Sequence, residues 1–215
     1  GTWTETGITW NNRPAATTGA LANLGSIVAG TWVELDVTGY VTGNGTYNLL
    51  LRPDSTDGAT FSSREGGNAP QLVVTFASGP TPTPTNTATT GPSPTPTNTS
   101  TITPTPTRTN TPTITPTPTN TPPTTGVTVG SVADARVEQD FPTTNYGTSS
   151  KLDVDSPGEE SYLRFTVSGV TGAVQSARLR LYVNNGSSNG PSVYGTGGTW
   201  TETGITWNNR PAATT

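Results

Sequence analysis

Hydrophobic and polar residues alternate along several short stretches of the chain. In residues 177–183, four apolar residues alternate with Arg178, Arg180 and Tyr182. A period of two places the apolar side chains on one face of a β-strand and the polar ones on the other. The same pattern predicts strands over 32–37, 71–76 and 162–167, with shorter candidates at 7–10, 47–51 and 151–154.

Turn-forming residues separate these stretches. Gly, Asn and Pro cluster in residues 42–45, 64–70 and 184–191, where they favour turns and end strands. Roughly seven to ten short strands with turns at this spacing are typical of all-β domains, and signals for helices are nearly absent. We therefore predict an all-β fold, a jelly-roll-like β-sandwich.

The sequence GTWTETGITWNNRPAATT occurs twice, at residues 1–18 and 198–215. The simplest interpretation of an 18-residue identity is a tandem array with a period of 197 residues. Residues 1–79 are then the C-terminal part of one sandwich module and residues 126–215 the N-terminal part of the next. Neither part is expected to fold alone, because each would expose open sheet edges. Read in circular order, residues 126–197 followed by 1–79 make one domain of 151 residues.

Residues 80–125 have a different composition and are predicted to be a linker. Of these 46 residues, 22 are Thr, 13 are Pro and one, Arg108, is charged. The segment has too few apolar residues for a core, and its prolines favour an extended polyproline II rod. A bare spacer is one interpretation, but Thr/Pro tracts are also typical acceptors of O-linked sugars. The predicted O-glycosylation sites are Thr81, Thr83, Thr85, Thr95, Thr97, Thr105, Thr107, Thr117 and Thr119.

Composition excludes many chemistries for this chain of 215 residues. It contains no Cys, His or Met, which excludes disulfides, thiol nucleophiles, Ser-His-Asp triads and the usual zinc and haem sites. The net charge of −4 offers no basic surface to nucleic acid. No apolar run approaches the roughly 20 residues of a membrane span. We predict no cofactor, no nucleic-acid partner and no membrane span.

Five segments carry a family resemblance. They are FPTTNYGTSSKLDVD from Phe141, SYLRFTVSGV from Ser161, SARLRLYV from Ser176, WTETGITWNNRP from Trp3 and FSSREGGNAPQLVVTF from Phe61. Together they resemble the DNRLRE-type domain, a family of bacterial extracellular β-sandwiches grouped with carbohydrate-binding modules, although the name-giving hexapeptide is absent. The resemblance covers nearly all residues outside the linker. It implies a module of a large secreted protein and, for some members, binding of acidic polysaccharides.

One candidate saccharide site lies on predicted strands. Protein sites for sugars combine an aromatic platform with planar polar groups, and acidic sugars add a need for Arg or Lys. Arg178, Arg180 and Tyr182 share one outward strand face and would suit a uronic acid, although a solvated face is the simpler interpretation. Trp32 lies on the polar face of its strand and could face a ligand, the linker or a neighbouring module.

A second candidate saccharide site is the run Trp10, Asn11, Asn12 and Arg13, which precedes Pro14. An indole, two amides and a guanidinium at a loop mouth could bind a sugar. In the structural alternative, Trp10 packs in the core and the asparagines cap a turn. Both interpretations remain open.

Carboxylates offer weaker signals. Oxygen ligands for calcium are available from Asp54, Asp57, Asp134, Asp153 and Asp155, but no loop has the spacing of an EF-hand, and we predict no metal. The pairs Glu159–Glu160 and Glu34–Asp36 could in principle serve a glycosidase. Nothing near them suggests a raised pKa, so we predict that the chain is not an enzyme.

Two function classes follow from these features. The repeat and the cut domain favour a structural repeat of an extracellular, glycosylated bacterial fibre or surface filament, whose partners are copies of itself and glycans on the linker. The alternative is a carbohydrate-binding module that holds a secreted adhesin or polysaccharide-degrading enzyme on acidic polysaccharide. Both place the protein outside the cell or at its surface.

Overall fold

The computed structural model describes residues 19–78 and 124–214. Within these ranges the chain forms twelve β-strands and no helix, which confirms the predicted all-β fold. No helix suited to crossing a membrane is therefore found there. The strands are β1 (Ala22–Asn23), β2 (Trp32–Asp36), β3 (Gly45–Arg52), β4 (Ala59–Ser62), β5 (Gln71–Ala77), β6 (Thr124–Gly130), β7 (Ala133–Glu138), β8 (Lys151–Val154), β9 (Glu159–Val167), β10 (Val174–Asn185), β11 (Ser192–Thr196) and β12 (Ala213–Thr214).

The strands form two antiparallel sheets that pack as a sandwich. The first sheet has the order β1-β11-β3-β9-β7, with β12 also paired to β11; the second has the order β6-β5-β10-β4-β8, with β2 paired to β10. Both sheets combine strands from the two sides of the linker, because β3 pairs with β9 and β11, and β10 pairs with β2, β4 and β5. Within this chain, residues 19–78 and 124–214 therefore complete a single sandwich. The assignment of 1–79 and 126–215 to successive modules of an array remains a prediction.

The core between the sheets uses the alternating residues that the sequence pattern identified. The four apolar residues of β10 that alternate with Arg178, Arg180 and Tyr182 are fully buried. Other strands contribute Leu35, Leu49, Leu51, Leu72, Val74, Phe76, Leu163, Phe165 and Val167 to the same cluster. The inward faces of the long strands were thus predicted correctly.

The first sheet is buried on both faces. Leu49, Leu50 and Leu51 of β3 are all buried, although successive side chains of a strand point to opposite faces. Leu49 and Leu51 belong to the core between the sheets, whereas Leu50 packs with Trp200 and Trp207 in a second cluster. Residues 198–214, which we call the cover segment, therefore lie over the outer face of this sheet. This segment belongs to the second copy of the repeated sequence.

Buried charges hold the cover segment in place. Arg210 Nε lies 2.6 Å from Glu160 Oε2, and Arg52 Nε lies 3.2 Å from Glu160 Oε1. Both Glu160 and Arg210 are 7% exposed, so each depends on the other for compensation of its charge. The guanidinium of Arg164 lies 4.4 Å from the ring centroid of Trp200 and donates a hydrogen bond to its carbonyl oxygen.

The cover segment ends where residues 19–78 begin. Thr214 of β12 pairs with Gly195 of β11, and Ala22 of β1 pairs with Val193 of the same strand. Both short strands are antiparallel to β11 and lie on the side away from β3, so they run in the same direction. Two residues of strand separate their partners, or about 7 Å. The order 124–214 followed by 19–78 is therefore close to spatially continuous.

Apart from one candidate saccharide site, which is described below, three predicted features lie partly or wholly outside the described residues. The predicted strand 7–10 is one, and its copy, residues 204–207, contains turns and irregular backbone instead of a strand. The nine predicted O-glycosylation sites are another. The predicted linker 80–125 is the third, but its last two residues are described and belong to β6, which begins at Thr124 and pairs with β5. Composition alone assigned these threonines to the linker.

Candidate functional site

Three cross-strand pairs lie in a row on the outer face of the second sheet. Residues opposite each other in an antiparallel pair share a face, and the neighbouring Leu35, Leu179 and Leu181 point into the core. The register between β10 and β2 forms the pairs Arg178–Asp36, Arg180–Glu34 and Tyr182–Trp32. We call these six residues the β2–β10 face. The structure thus places Trp32 on the same face as Arg178, Arg180 and Tyr182, which the sequence analysis had grouped without it.

Two aromatic rings form one end of the β2–β10 face. The ring centroids of Trp32 and Tyr182 lie 5.5 Å apart, with an angle of 70° between the ring planes. This edge-to-face arrangement is a favourable one for aromatic pairs. Both residues are only partly buried, so apolar ring surface remains accessible from solvent.

Arg180 connects the aromatic pair to the polar part of the β2–β10 face. Its guanidinium carbon lies 5.0 Å from the ring centroid of Trp32, within the range of a cation–π contact. Its Nε lies 3.1 Å from Glu34 Oε1, and its Nη1 donates a 3.0 Å hydrogen bond to Gln71 Oε1 on β5. Arg180 therefore lies beside the indole and is held there by side chains from two further strands.

Arg178 is the more loosely held cation of the β2–β10 face. Its Nη2 lies 3.4 Å from Asp36 Oδ2, and both side chains are about half exposed (44% and 51%). Asp36 already accepts hydrogen bonds from the hydroxyl and the backbone N–H of Thr38. These bonds, with a smaller contribution from Arg178, hold the pKa of Asp36 below its usual value. Arg178 can therefore exchange its partner at little cost.

The candidate site at Trp10, Asn11, Asn12 and Arg13 lies outside the described residues and stays a prediction. Its identical copy, residues 207–210, belongs to the cover segment. Trp207 is 2% exposed and Arg210 is 7% exposed, and the guanidinium stacks 3.3 Å from the indole centroid. Asn209 Oδ1 accepts the backbone N–H of Thr206 and so closes a turn. In this copy, the motif has the structural role that was the alternative interpretation.

A small pocket offers a different surface at one end of the sandwich. It has a volume of about 210 Å³ and includes Phe141, which is 57% exposed. Burial, together with the charges of Asp153 and Glu138, raises the pKa of Glu159. The pocket, which we call the loop pocket, is lined by Glu138, Gln139, Asp140, Phe141, Asp155, Ser156, Pro157, Gly158 and Glu159. Its acidic lining would repel an anionic ligand.

Three of the four carboxylates that suggested a glycosidase form ion pairs with arginines, and the fourth lines the loop pocket. Glu159 lines the loop pocket, whereas Glu160 is buried against Arg210 and Arg52. Glu34 and Asp36 form ion pairs with arginines on an open sheet face. Glu159 and Glu160 thus have different surroundings, and Glu34 and Asp36 both lie beside arginines.

The comparison with protein families gives a match that covers most of the chain. The model of carbohydrate-binding module family 96 matches residues 1–76 and 125–215, which is most of the chain. The matched ranges lie on both sides of the linker, as do the strands of the sandwich. No curated protein and no solved structure matches the chain.

Proposed function

Because the chain belongs to carbohydrate-binding module family 96, we propose that it binds polysaccharide through the β2–β10 face. Modules of this kind are non-catalytic, which fits the prediction that the chain is not an enzyme. They are typical of secreted or surface proteins, and we extend this location to the present chain. The family match favours saccharide binding over the filament that the sequence analysis placed first. The narrower DNRLRE type, supported by the five resembling segments, is part of this proposal.

The observation that carries the proposal is the Trp32–Tyr182 pair with Arg180 beside it. A sugar ring presents an apolar face that can stack on an exposed aromatic ring, and its hydroxyls hydrogen-bond to planar side chains. The accessible ring surface beside Arg180, Glu34 and Gln71 provides both kinds of contact. A flat sheet face also leaves both ends of a polymer free to continue.

Arg178 favours an acidic polysaccharide. A uronate carboxylate could replace Asp36 as its partner, because Asp36 keeps its hydrogen bonds from Thr38 and a guanidinium binds carboxylates in a paired geometry. Arg178 and Trp32 are four residue positions apart along the strands, or about 13 Å. One ligand chain that contacts both must therefore extend over more than one sugar ring.

Calorimetric titration of the chain with a polyuronate is expected to show saturable binding that Trp32→Ala weakens at least tenfold. Loss of a central aromatic anchor commonly costs more than about 1.4 kcal/mol, which is a factor of ten. Phe141→Ala is the matched control, because Phe141 is also an exposed aromatic residue but lies in the loop pocket. Arg178→Ala should weaken binding of the polyuronate more than that of a neutral polysaccharide. Equal affinity of Trp32→Ala and the parent chain would refute this placement of the site.

A second function, as the repeating unit of an extracellular array, is favoured by the junction at β11. The 18-residue repeat at an offset of 197 predicts that, in an array, the cover segment is followed directly by a copy of residues 19–78. β12 and β1 lie one after the other along β11, as that order requires. In such an array, each sandwich would be separated from the next by a Thr/Pro-rich rod.

The array proposal includes O-linked sugars on the rod, at the threonines between Thr81 and Thr119 named above. Mass spectrometry of the intact protein from its natural source is expected to show masses above that of the polypeptide, spaced by sugar residues. The bare polypeptide mass would rule out the glycosylated form of the array. It would leave polysaccharide binding by the sandwich untouched.

A further inference from the structure

Three carboxylates from distant parts of the sequence meet beside the cover segment. Glu65 lies in the loop between β4 and β5, Asp134 lies in β7, and Glu202 lies in the cover segment. One oxygen from each residue lies within 4.8 Å of the oxygens of the other two. We call these residues the acidic triad. Carboxylates repel each other at such distances unless a positive charge lies between or beside them.

Asp134 is the fixed member of the acidic triad and is incompletely satisfied. It is 1% exposed. Its Oδ2 accepts hydrogen bonds from the Ser131 hydroxyl (3.0 Å) and the Arg64 backbone N–H (2.9 Å). Its Oδ1 is buried and has no hydrogen-bond partner among the described residues. A buried anionic oxygen without a donor is costly, and a bound cation would satisfy it.

Glu202 is positioned by the backbone of the strand that carries Asp134. Glu202 Oε1 accepts the Asp134 backbone N–H at 3.1 Å, so the two carboxylates are linked. Its side chain is 17% exposed, which limits its access to water. The remaining member, Glu65, lies on the solvent side with a side chain that is 27% exposed. A cation could therefore enter from this side.

Arg64 neutralises only part of the triad's charge. Its Nη2 lies 2.5 Å from Glu202 Oε2 and 3.1 Å from Glu65 Oε1. One guanidinium and three ionised carboxylates leave two formal negative charges. Arg64 Nε also donates a 3.1 Å hydrogen bond to Glu202 Oε1, so an entering cation would have to displace the Arg64 side chain, which is 40% exposed, towards solvent. One divalent cation would balance these two negative charges.

We propose that Glu65, Asp134 and Glu202 bind a calcium ion. Calcium takes oxygen ligands at about 2.3–2.6 Å, so two ligands on opposite sides of the ion are separated by about 4.8 Å. The oxygens of the triad lie within this limit. Magnesium, with ligands at about 2.0–2.1 Å and a strict octahedron, would require a tighter set. The sequence analysis predicted no metal because no loop has the spacing of an EF-hand, and it considered only Asp134 of the triad as a possible ligand.

A calcium ion here would fasten the cover segment to the sandwich. Glu202 belongs to that segment, whereas Asp134 and Glu65 belong to the strand and the loop beneath it. The site is separate from the β2–β10 face, since the two share no residue. Calcium is therefore expected to stabilise the fold without acting as a ligand for saccharide.

Thermal unfolding of the full chain, stripped of metal and then supplied with CaCl₂, tests this site. With half-saturation near 1 mM, which is typical of extracellular calcium modules, 10 mM CaCl₂ should lower the unfolding equilibrium constant about tenfold. Calorimetry should show one bound calcium per chain. The same unfolding constant with and without calcium, and no heat of binding, would overturn the proposal.

Two variants and a control locate the site. Glu65→Gln removes a ligand on the solvent side without disturbing the core and should weaken calcium binding about tenfold. Asp134→Asn should abolish the calcium-dependent shift, measured against the same variant without calcium so that any loss of stability is accounted for. Asp140→Asn removes an equal charge from the loop pocket and should leave binding unchanged. If Asp140→Asn loses binding and Glu65→Gln keeps it, calcium binds in the loop pocket and the proposal is wrong. Polysaccharide titration is a separate measurement and can succeed or fail independently.

Discussion

Replacing Glu160 by alanine is expected to destabilise the protein by about 3–5 kcal/mol, the usual cost of removing one partner of a buried ion pair. Glu160 compensates Arg210 at 2.6 Å and Arg52 at 3.2 Å, and it also accepts a hydrogen bond from the Tyr162 hydroxyl. Without it, the buried guanidinium of Arg210 loses the carboxylate that lies 2.6 Å from its Nε. The cover segment would then lose its main polar anchor on the first sheet.

Urea denaturation followed by circular dichroism measures this loss. Glu34→Ala is the matched control, because Glu34 also forms an ion pair with an arginine but its side chain is 51% exposed. The control should cost at most about 1 kcal/mol, as exposed ion pairs do. A loss for Glu160→Ala no larger than that of the control would show that the buried network does not hold the cover segment.

The double variant Trp10→Ala, Trp207→Ala is expected to have a free energy of unfolding about 3–5 kcal/mol lower than the parent chain, the usual loss for truncation of a large core side chain. Trp207 is 2% exposed in the cluster beneath the cover segment. Either single variant should lose far less stability, because the two copies are identical over 18 residues and the unchanged copy is expected to fill the same site. If both copies fill the site equally well, loss of one costs RT ln 2, about 0.4 kcal/mol.

The reason for this compensation is the position of the two copies in the chain. The second copy is bonded to Gly197, which precedes the cover segment, and the first copy is bonded to Gly19, close to where the cover segment ends. Each copy is thus attached at one end of the same site. Denaturation of the parent, both single variants and the double variant measures the compensation. If Trp207→Ala alone lowers the free energy of unfolding as much as the double variant does, the first copy does not replace the second. The junction at β11 would then no longer support an array.

The alternating pattern describes best the predicted strands that have one buried face. In β10 and β5, side chains alternate between core and exterior, so a period of two identifies both strand and inward face. β7 alternates too, but its apolar residues Ala133, Ala135 and Val137 pack with Trp200 and Trp207 of the cover segment instead of in the core between the sheets. The packing partners come from residues more than sixty positions away, so the local sequence does not reveal which layer the apolar face contacts.

The residues of the candidate site could be predicted from the sequence, but their arrangement in space could not. Alternation placed Trp32 outside on one strand and Arg180 and Tyr182 outside on another. Their meeting depends on the register between β2 and β10, which sequence periodicity does not specify, because any shift of two residues preserves the inward faces. The acidic triad was harder to find, since Glu65, Asp134 and Glu202 come together only when the loop, β7 and the cover segment are assembled. Only Asp134 was recognised as a possible ligand.

The central claim, that the β2–β10 face binds polysaccharide, is tested most directly by mapping amide chemical shifts during titration with a polyuronate. ¹H–¹⁵N correlation spectra of the full chain report every perturbed backbone position at once. We expect the shifts to concentrate in residues 31–38 and 177–183, with a smaller set around Gln71. Shifts concentrated at 138–141 and 155–159, or none at saturating polyuronate, would contradict the account.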